Sequence, residues 1–124
     1  MDVITTEEAP KAIGPYSQAV EHQGIVYISG QIPLSPATGE LVSNDILTQT
    51  QQVFDNLTAI CEAADSDLNK VIKFTVYLTD LANFSVVNDV MASRLTEPYP
   101  ARVTVEVSAL PKAALIEIDA ILAV

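Results

Sequence analysis

Pro100-Ala101-Arg102-Val103-Thr104-Val105-Glu106-Val107, and beyond the connection Ser108-Ala109-Leu110-Pro111-Lys112-Ala113-Ala114 the run Leu115-Ile116-Glu117-Ile118-Asp119-Ala120-Ile121-Leu122-Ala123, read as two strands. Successive side chains of a strand point to opposite faces, so Val103, Val105 and Val107 share one face and Arg102, Thr104 and Glu106 the other. In the second strand Ile116, Ile118, Ala120 and Leu122 form an apolar row, while Glu117 and Asp119 point the other way among Leu115, Ile121 and Ala123. A guanidinium and a carboxylate thus stand within an otherwise apolar C-terminus. Either they form a solvated or structural ion pair, or they receive a small charged ligand.

Outward from these strands, the segment Val71 to Thr79 alternates, with Ile72, Phe74, Val76 and Leu78 on one side and Lys73, Thr75, Tyr77 and Thr79 on the other. Two helices flank it. From Asp45 to Ala64 the residues Ile46, Val53, Phe54, Leu57, Ile60, Cys61 and Ala64 recur at three- and four-residue spacing, the mark of one buried helix face. Ser43 or Asn44 can cap this helix, and Asp45 complements its N-terminal dipole. A second helix runs from about Phe84 to Leu95 on a stripe of Phe84, Val87, Met91 and Leu95, with Asn83 as its cap and Pro98 and Pro100 beyond its end. Arg94 complements its C-terminal dipole.

Toward the N-terminus, Val3 to Thr6 reads as a short edge strand, and Ser17–Glu21 and Ile25–Ser29 as a hairpin around His22-Gln23-Gly24. Between them, Ile13-Gly14-Pro15 sets Tyr16 beyond a rigid turn, free to face a pocket. The hairpin runs into Ser29-Gly30-Gln31-Ile32-Pro33, where a glycine at a strand end marks close approach by another group. The order is three short strands, helix, strand, helix, strand, strand. That is an α+β domain spanning 1–124, a single mixed sheet of about six strands with both helices on one face.

Composition excludes several functions. With 124 residues the chain suits one domain. The apolar fraction is 49% and the mean hydropathy +0.31, yet no run approaches the ~18 apolar residues of a membrane span. Some apolar surface is therefore expected to be buried between subunits. Cys61 is the one cysteine and His22 the one histidine, so one chain can build neither a disulfide framework nor a Cys/His zinc site. Cys61 is read as a small core residue. A net charge of −10 with six scattered cations argues against nucleic acid as a partner. The N-terminus lacks the pattern of a signal peptide, which makes a cytoplasmic protein the expectation.

Ala12-Ile13-Gly14-Pro15-Tyr16, Ser29-Gly30-Gln31-Ile32-Pro33, Thr38-Gly39-Glu40, Pro100-Ala101-Arg102, Leu110-Pro111-Lys112 and Ile116-Glu117-Ile118 stand in the order and at nearly the spacing of the RidA/YjgF family, the reactive intermediate deaminases. The resemblance covers almost the whole chain. It implies a chorismate-mutase-like fold, a homotrimer with clefts between neighbouring subunits, and hydrolysis of enamines and imines such as 2-aminoacrylate and 2-iminobutanoate to 2-oxo acids and ammonia. No cofactor and no metal are implied.

Residue by residue, the resemblance places the carboxylate-binding arginine at Arg102, the water-orienting glutamate at Glu117, the pocket tyrosine and serine at Tyr16 and Ser29, and the close backbone approach at Gly30. The chemistry fits those residue types. A guanidinium offers a planar fork that matches a carboxylate bidentately, and a partly desolvated carboxylate can shuttle a proton from water. Two departures stand out. Thr104 replaces a cysteine common in the family and is expected to line the same cleft, and the loop Thr96-Glu97-Pro98-Tyr99-Pro100 is shorter than usual. A non-catalytic 2-oxo-acid binder on the same trimer, and a ribonuclease or translation inhibitor, are the competing functions. Glu106 and Asp119 are read as structural or surface carboxylates.

Overall fold

A computed structural model describes residues 1–124. Its strands are β1 (Asp2–Ile4), β2 (Ala19–His22), β3 (Ile25–Gln31), β4 (Val71–Leu78), β5 (Ala101–Glu106) and β6 (Ile116–Ala123), and its helices α1 (Ile46–Ala63) and α2 (Phe84–Arg94). They form one six-stranded sheet in the order β1-β2-β3-β6-β4-β5. All neighbouring pairs are antiparallel except β4 and β5. A parallel pair needs a long crossover, and α2 supplies it. The expected α+β architecture is the one observed.

The β2–β3 hairpin closes through Gln23 and Gly24, both with positive φ (53° and 80°), between the paired residues His22 and Ile25. Two left-handed residues in succession match the twist of the flanking strands. His22 ends β2 and is not part of the turn.

One cluster of 24 buried residues lies between the sheet and the helices. Phe54 of α1 meets Phe74 of β4 edge to face, with centroids 5.8 Å apart. Both rings are fully buried, so Phe74→Ala should cost ~3–5 kcal/mol through lost contacts and the cavity left behind. The α1 stripe continues through Val53, Leu57, Ile60 and Cys61, all buried as its spacing requires. Burial pushes the Cys61 thiol up to about 12, which makes it inert as a nucleophile at neutral pH.

Several local expectations are corrected. The N-cap of α1 is Asp45 itself, whose carboxylate accepts from the Thr48 N–H at 2.9 Å, while the Ser43 hydroxyl accepts from the Asp45 N–H. The Thr48 N–H and the Thr48 hydroxyl, both donating to it, hold the Asp45 carboxyl below its ordinary range. Asn83 makes no side-chain cap. It ends a 3₁₀ turn (Leu81–Asn83) that Asp80 caps through the Ala82 N–H. In β4 the register against β6 shifts between Val71 and Lys73, so Val71 is buried and Ile72 is exposed. A one-residue irregularity reverses the side-chain alternation, and strict alternation therefore misplaced Ile72.

Register also fixes the two faces of the C-terminal strands. Arg102 and Thr104 pair with Phe74 and Val76, the row that faces the helices. Val103 pairs with Thr75, and Val105 with Tyr77 and through it Glu117, on the face no helix covers. The valines remain 42% and 38% exposed. The same open face carries the ladder Val3, Val20, Tyr27, Ile121, Lys73 and Ala101.

Candidate active site

A cavity of about 820 Å³ opens where β3 ends and β6 begins. Between Ile28 and Gln31 the register of β3 against β6 slips by one residue, a bulge that falls on Ser29 and Gly30. The bulge brings the backbone against Glu117. A side chain at Gly30 would collide with that carboxylate, placing a Cβ only 2.9 Å from Glu117 Cδ, so a larger residue here would push the Glu117 side chain from its position. Tyr16, Ser29, Gly30 and Glu117 all line the cavity. The expected grouping of these four is therefore found within one chain.

Glu117 is half-buried, and its pKa is raised, first by desolvation and then by the charge of Asp119 two residues along the same strand face. No hydrogen bond contributes to the shift. Asp119 is occupied, accepting from the Tyr77 hydroxyl at 2.9 Å, a bond that raises the pKa of the tyrosine. Ser29 donates its hydroxyl proton to the Ser17 carbonyl at 2.6 Å, which leaves its lone pairs to accept from a ligand N–H. Tyr16 is 53% exposed at the rim.

Arg102 lies elsewhere. It faces the helix side of edge strand β5, and with Asn88, Met91, Leu95, Tyr99 and Pro100 it lines a second cavity of about 450 Å³. Its Nη1 donates to Asn88 Oδ1 at 2.8 Å and approaches Met91 Sδ at 3.7 Å, and its guanidinium sits 5.0 Å from the centre of the Phe84 ring. The alternative of an intrachain Arg102–carboxylate pair is absent; the one ion pair is Arg94 with Asp55. Thr104 lines neither cavity, and its Oγ1 is buried without a hydrogen-bond partner. Arg102 and Glu117 thus occupy opposite faces of the sheet and different cavities of the same chain.

The walls of the Glu117 cavity are held by buried amides not anticipated from sequence. Gln18 accepts from the Thr6 N–H and donates to the carbonyls of Thr6, Ala9 and Pro10, pinning the N-terminal loop. Asn56 of α1 donates to the Ile32 and Leu34 carbonyls, and Gln49 accepts from the Leu115 N–H at 2.8 Å, two residues before Glu117. Both are fully buried. Their signal was a polar residue on the buried stripe of α1, where only a structural partner makes burial tolerable. Lys11 and Lys112 also line the cavity, and Lys112 Nζ donates to the Gly39 carbonyl at 3.0 Å. No group of three or more His, Cys, Asp or Glu side chains converges to hold a metal, and no helix is long and apolar enough to cross a membrane.

The family model described as Endoribonuclease L-PSP matches residues 6–124. A RutC family protein of Pyrococcus horikoshii is 57% identical over 120 residues, covering 97% of this chain and 95% of its own. The chloroplastic Reactive Intermediate Deaminase A of Arabidopsis thaliana is 45% identical over 120 residues, covering 97% of this chain and 64% of its own. The crystal structure of RidA from an Antarctic Psychrobacter is 51% identical with a TM-score of 0.96, each chain covered completely. Sequence pattern, sheet order and the Gly30–Glu117 contact converge on one conclusion: the chain belongs to the Ribonuc_L-PSP family, the RidA/YjgF proteins.

Proposed function

We propose that this protein hydrolyses enamines and imines of amino-acid origin, of the 2-aminoacrylate and 2-iminobutanoate type, to 2-oxo acids and ammonia. The observation that carries the reading is Glu117: a half-buried carboxylate of raised pKa, packed on Gly30 in the 820 Å³ cavity with Tyr16 and Ser29 lining the same space. A raised pKa makes a carboxylate a better base once ionised, and partial burial keeps it poised to exchange a proton with a single water.

The steps follow from these groups. An enamine first takes a proton from solvent at its terminal carbon and becomes the protonated imine. Water then attacks the C=N carbon, giving up a proton to Glu117 as the C–O bond forms and the C=N π electrons move to nitrogen. Glu117 returns that proton to the carbinolamine nitrogen, the hydroxyl gives its own proton to the Glu117 carboxylate as C=O forms and the C–N bond breaks, and nitrogen leaves as ammonia. Ser29 accepts from the imine N–H, and the Tyr16 hydroxyl bounds the substrate at the rim. Such imines also hydrolyse unaided in water, so orientation and acid–base help of roughly 10²–10⁴-fold are sufficient.

The carboxylate of the substrate requires a cation with free donors. Lys11 lines the cavity as a point charge, but the planar fork that matches a carboxylate bidentately belongs to Arg102, on the other face of the sheet. The proposal therefore includes a homotrimer in which Arg102 of one copy faces the Glu117 cavity of the next. The uncovered sheet face, with Tyr27, Val103 and Val105 exposed, supplies the apolar surface for that assembly. A reducing, cytoplasmic setting suits the free thiol of Cys61.

The nuclease named in the family description is the weaker reading. A net charge of −10 repels a phosphate backbone, and His22 lines neither cavity. A binding-only protein is separated from an enzyme by one assay. Coupling an amino-acid oxidase or dehydratase to 2-oxo-acid release should show faster release when the protein is added; an unchanged rate together with saturable 2-oxo-acid binding would establish the binder instead.

A further inference from the structure

Arg102 is held in place entirely by groups without charge. Its partners come from one stripe of α2: Phe84, Asn88 and Met91, spaced four and three residues apart so that they project from the same side of the helix. Phe84 offers a ring face at 5.0 Å, Asn88 a carbonyl oxygen at 2.8 Å and Met91 a thioether at 3.7 Å. In a chain with 16 acidic residues this choice is informative, because an aspartate at position 88 would fit the same space. The other arginine, Arg94, takes the charged option with Asp55 at 2.8 Å.

We propose that Asn88 is the positioning residue of the anion site: a neutral acceptor that fixes one arm of the Arg102 fork while leaving the full positive charge and the remaining N–H donors to a substrate carboxylate. This rests on the reading of Arg102 as carboxylate anchor. The physical argument turns on what the acceptor does to the charge. A carboxylate within hydrogen-bond distance of a guanidinium binds it more strongly than an amide does. An incoming anion would have to displace or share that partner, against the repulsion of a like charge beside it. An amide oxygen orients the same N–H without competing. The π face of Phe84 attracts the cation and restricts its plane, again without neutralising it.

The sign of Asn88→Asp distinguishes this role from an ordinary structural hydrogen bond. If Asn88 were only a strut, the charged acceptor would hold Arg102 at least as well, and ligand affinity would be kept. Here it should fall. Binding of 2-oxobutanoate, measured by calorimetry at neutral pH on the assembled protein, should weaken about tenfold or more in Asn88→Asp, equivalent to one charge-assisted bond lost. Asn88→Ala, which frees the fork without neutralising it, should weaken binding less. In turnover both variants should raise KM by more than they lower kcat.

Asn88 is exposed, so neither substitution should disturb folding, and the melting temperature is the control. Arg102→Ala is measured in parallel. Loss of binding in Arg102→Ala with unaltered binding in Asn88→Asp would overturn the positioning role alone. Unaltered binding in Arg102→Ala would overturn the anchor on which it depends.

Discussion

The two arginines of this chain flank the connection between α2 and β5 and teach opposite lessons. Arg94, at the end of α2, has its Nε and Nη2 donors saturated within the chain. Its Nε and Nη2 donate to Gln51 Oε1 at 3.2 and 2.7 Å, and Nη2 reaches the Gln51 carbonyl and Asp55. These contacts tie α2 to α1. Arg102, on β5, has one amide, one thioether and one ring. The carboxylates divide in the same way. Glu106 accepts from the Leu81 N–H and Asp119 from the Tyr77 hydroxyl, while Glu117 shifts upward with no hydrogen bond to lower it. Arg94, Glu106 and Asp119 find partners within the chain; Arg102 and Glu117, each without a charged partner, are the two that the proposed chemistry assigns to the substrate and its water.

Removing an open charge should harm chemistry, and removing a saturated one should harm only the fold. The largest effect is expected for Glu117→Gln, which keeps the shape and removes the base. Its kcat should fall by roughly 10²–10⁴-fold while 2-oxo-acid affinity changes little. Because folding raises the pKa of Glu117, its proton is held more tightly in the native state. The contribution of this group to stability is present below the ordinary glutamate pKa and lost as pH rises through the raised value. The glutamine variant should therefore be at least as heat-stable as the parent at neutral pH. The same shift places the acidic limb of the parent's pH–rate profile above the ordinary glutamate range, and that limb should vanish in the variant. A glutamine variant with parental kcat would remove Glu117 from the mechanism.

Next comes Arg102→Ala. Charge-assisted hydrogen bonds are worth ~1.5–3 kcal/mol each, so losing a bidentate pair should lower kcat/KM by at least about 10²-fold. Arg102→Lys should recover only part, since an ammonium lacks the planar fork. Both should melt close to the parent, because no buried carboxylate is left unpaired. The smallest effect is expected for Arg94→Ala. The pair is partly exposed, with side chains 26% and 59% accessible, which limits the loss to roughly 1 kcal/mol of stability by denaturant titration. Turnover per folded protein should be unchanged. A large activity loss there would blur the distinction between the two arginines.

Much of this was legible in the sequence. The α1 stripe, the β6 alternation and the hairpin glycine specify the fold because each is a local pattern that the core then reinforces. So are Tyr16, Ser29, Gly30 and Glu117, which the β3 bulge gathers as the motif order implied. What escaped depended on contacts across the fold. Ile72 is exposed because of a register slip that no local pattern records. The row of Val103 and Val105 lies on the open face, which alternation could not tell, since it defines two faces but not which one the helices cover. Arg94 looked like a dipole partner because Gln51 and Asp55 are about forty positions away. Asn88 carried no signal at all until its oxygen met Arg102.

The central claim, that a working site takes Glu117 from one copy and Arg102 from another, has a direct test. Arg102→Ala and Glu117→Gln subunits, each inactive alone, are refolded together in equal amounts. In a randomly mixed cyclic trimer three-quarters of assemblies contain both kinds, and one of three sites in each unites an intact Arg102 with an intact Glu117, so activity should return to about one quarter of the parent's. If both residues served the same site from the same chain, every site would lack one of them, and the mixture would remain as inactive as its parts.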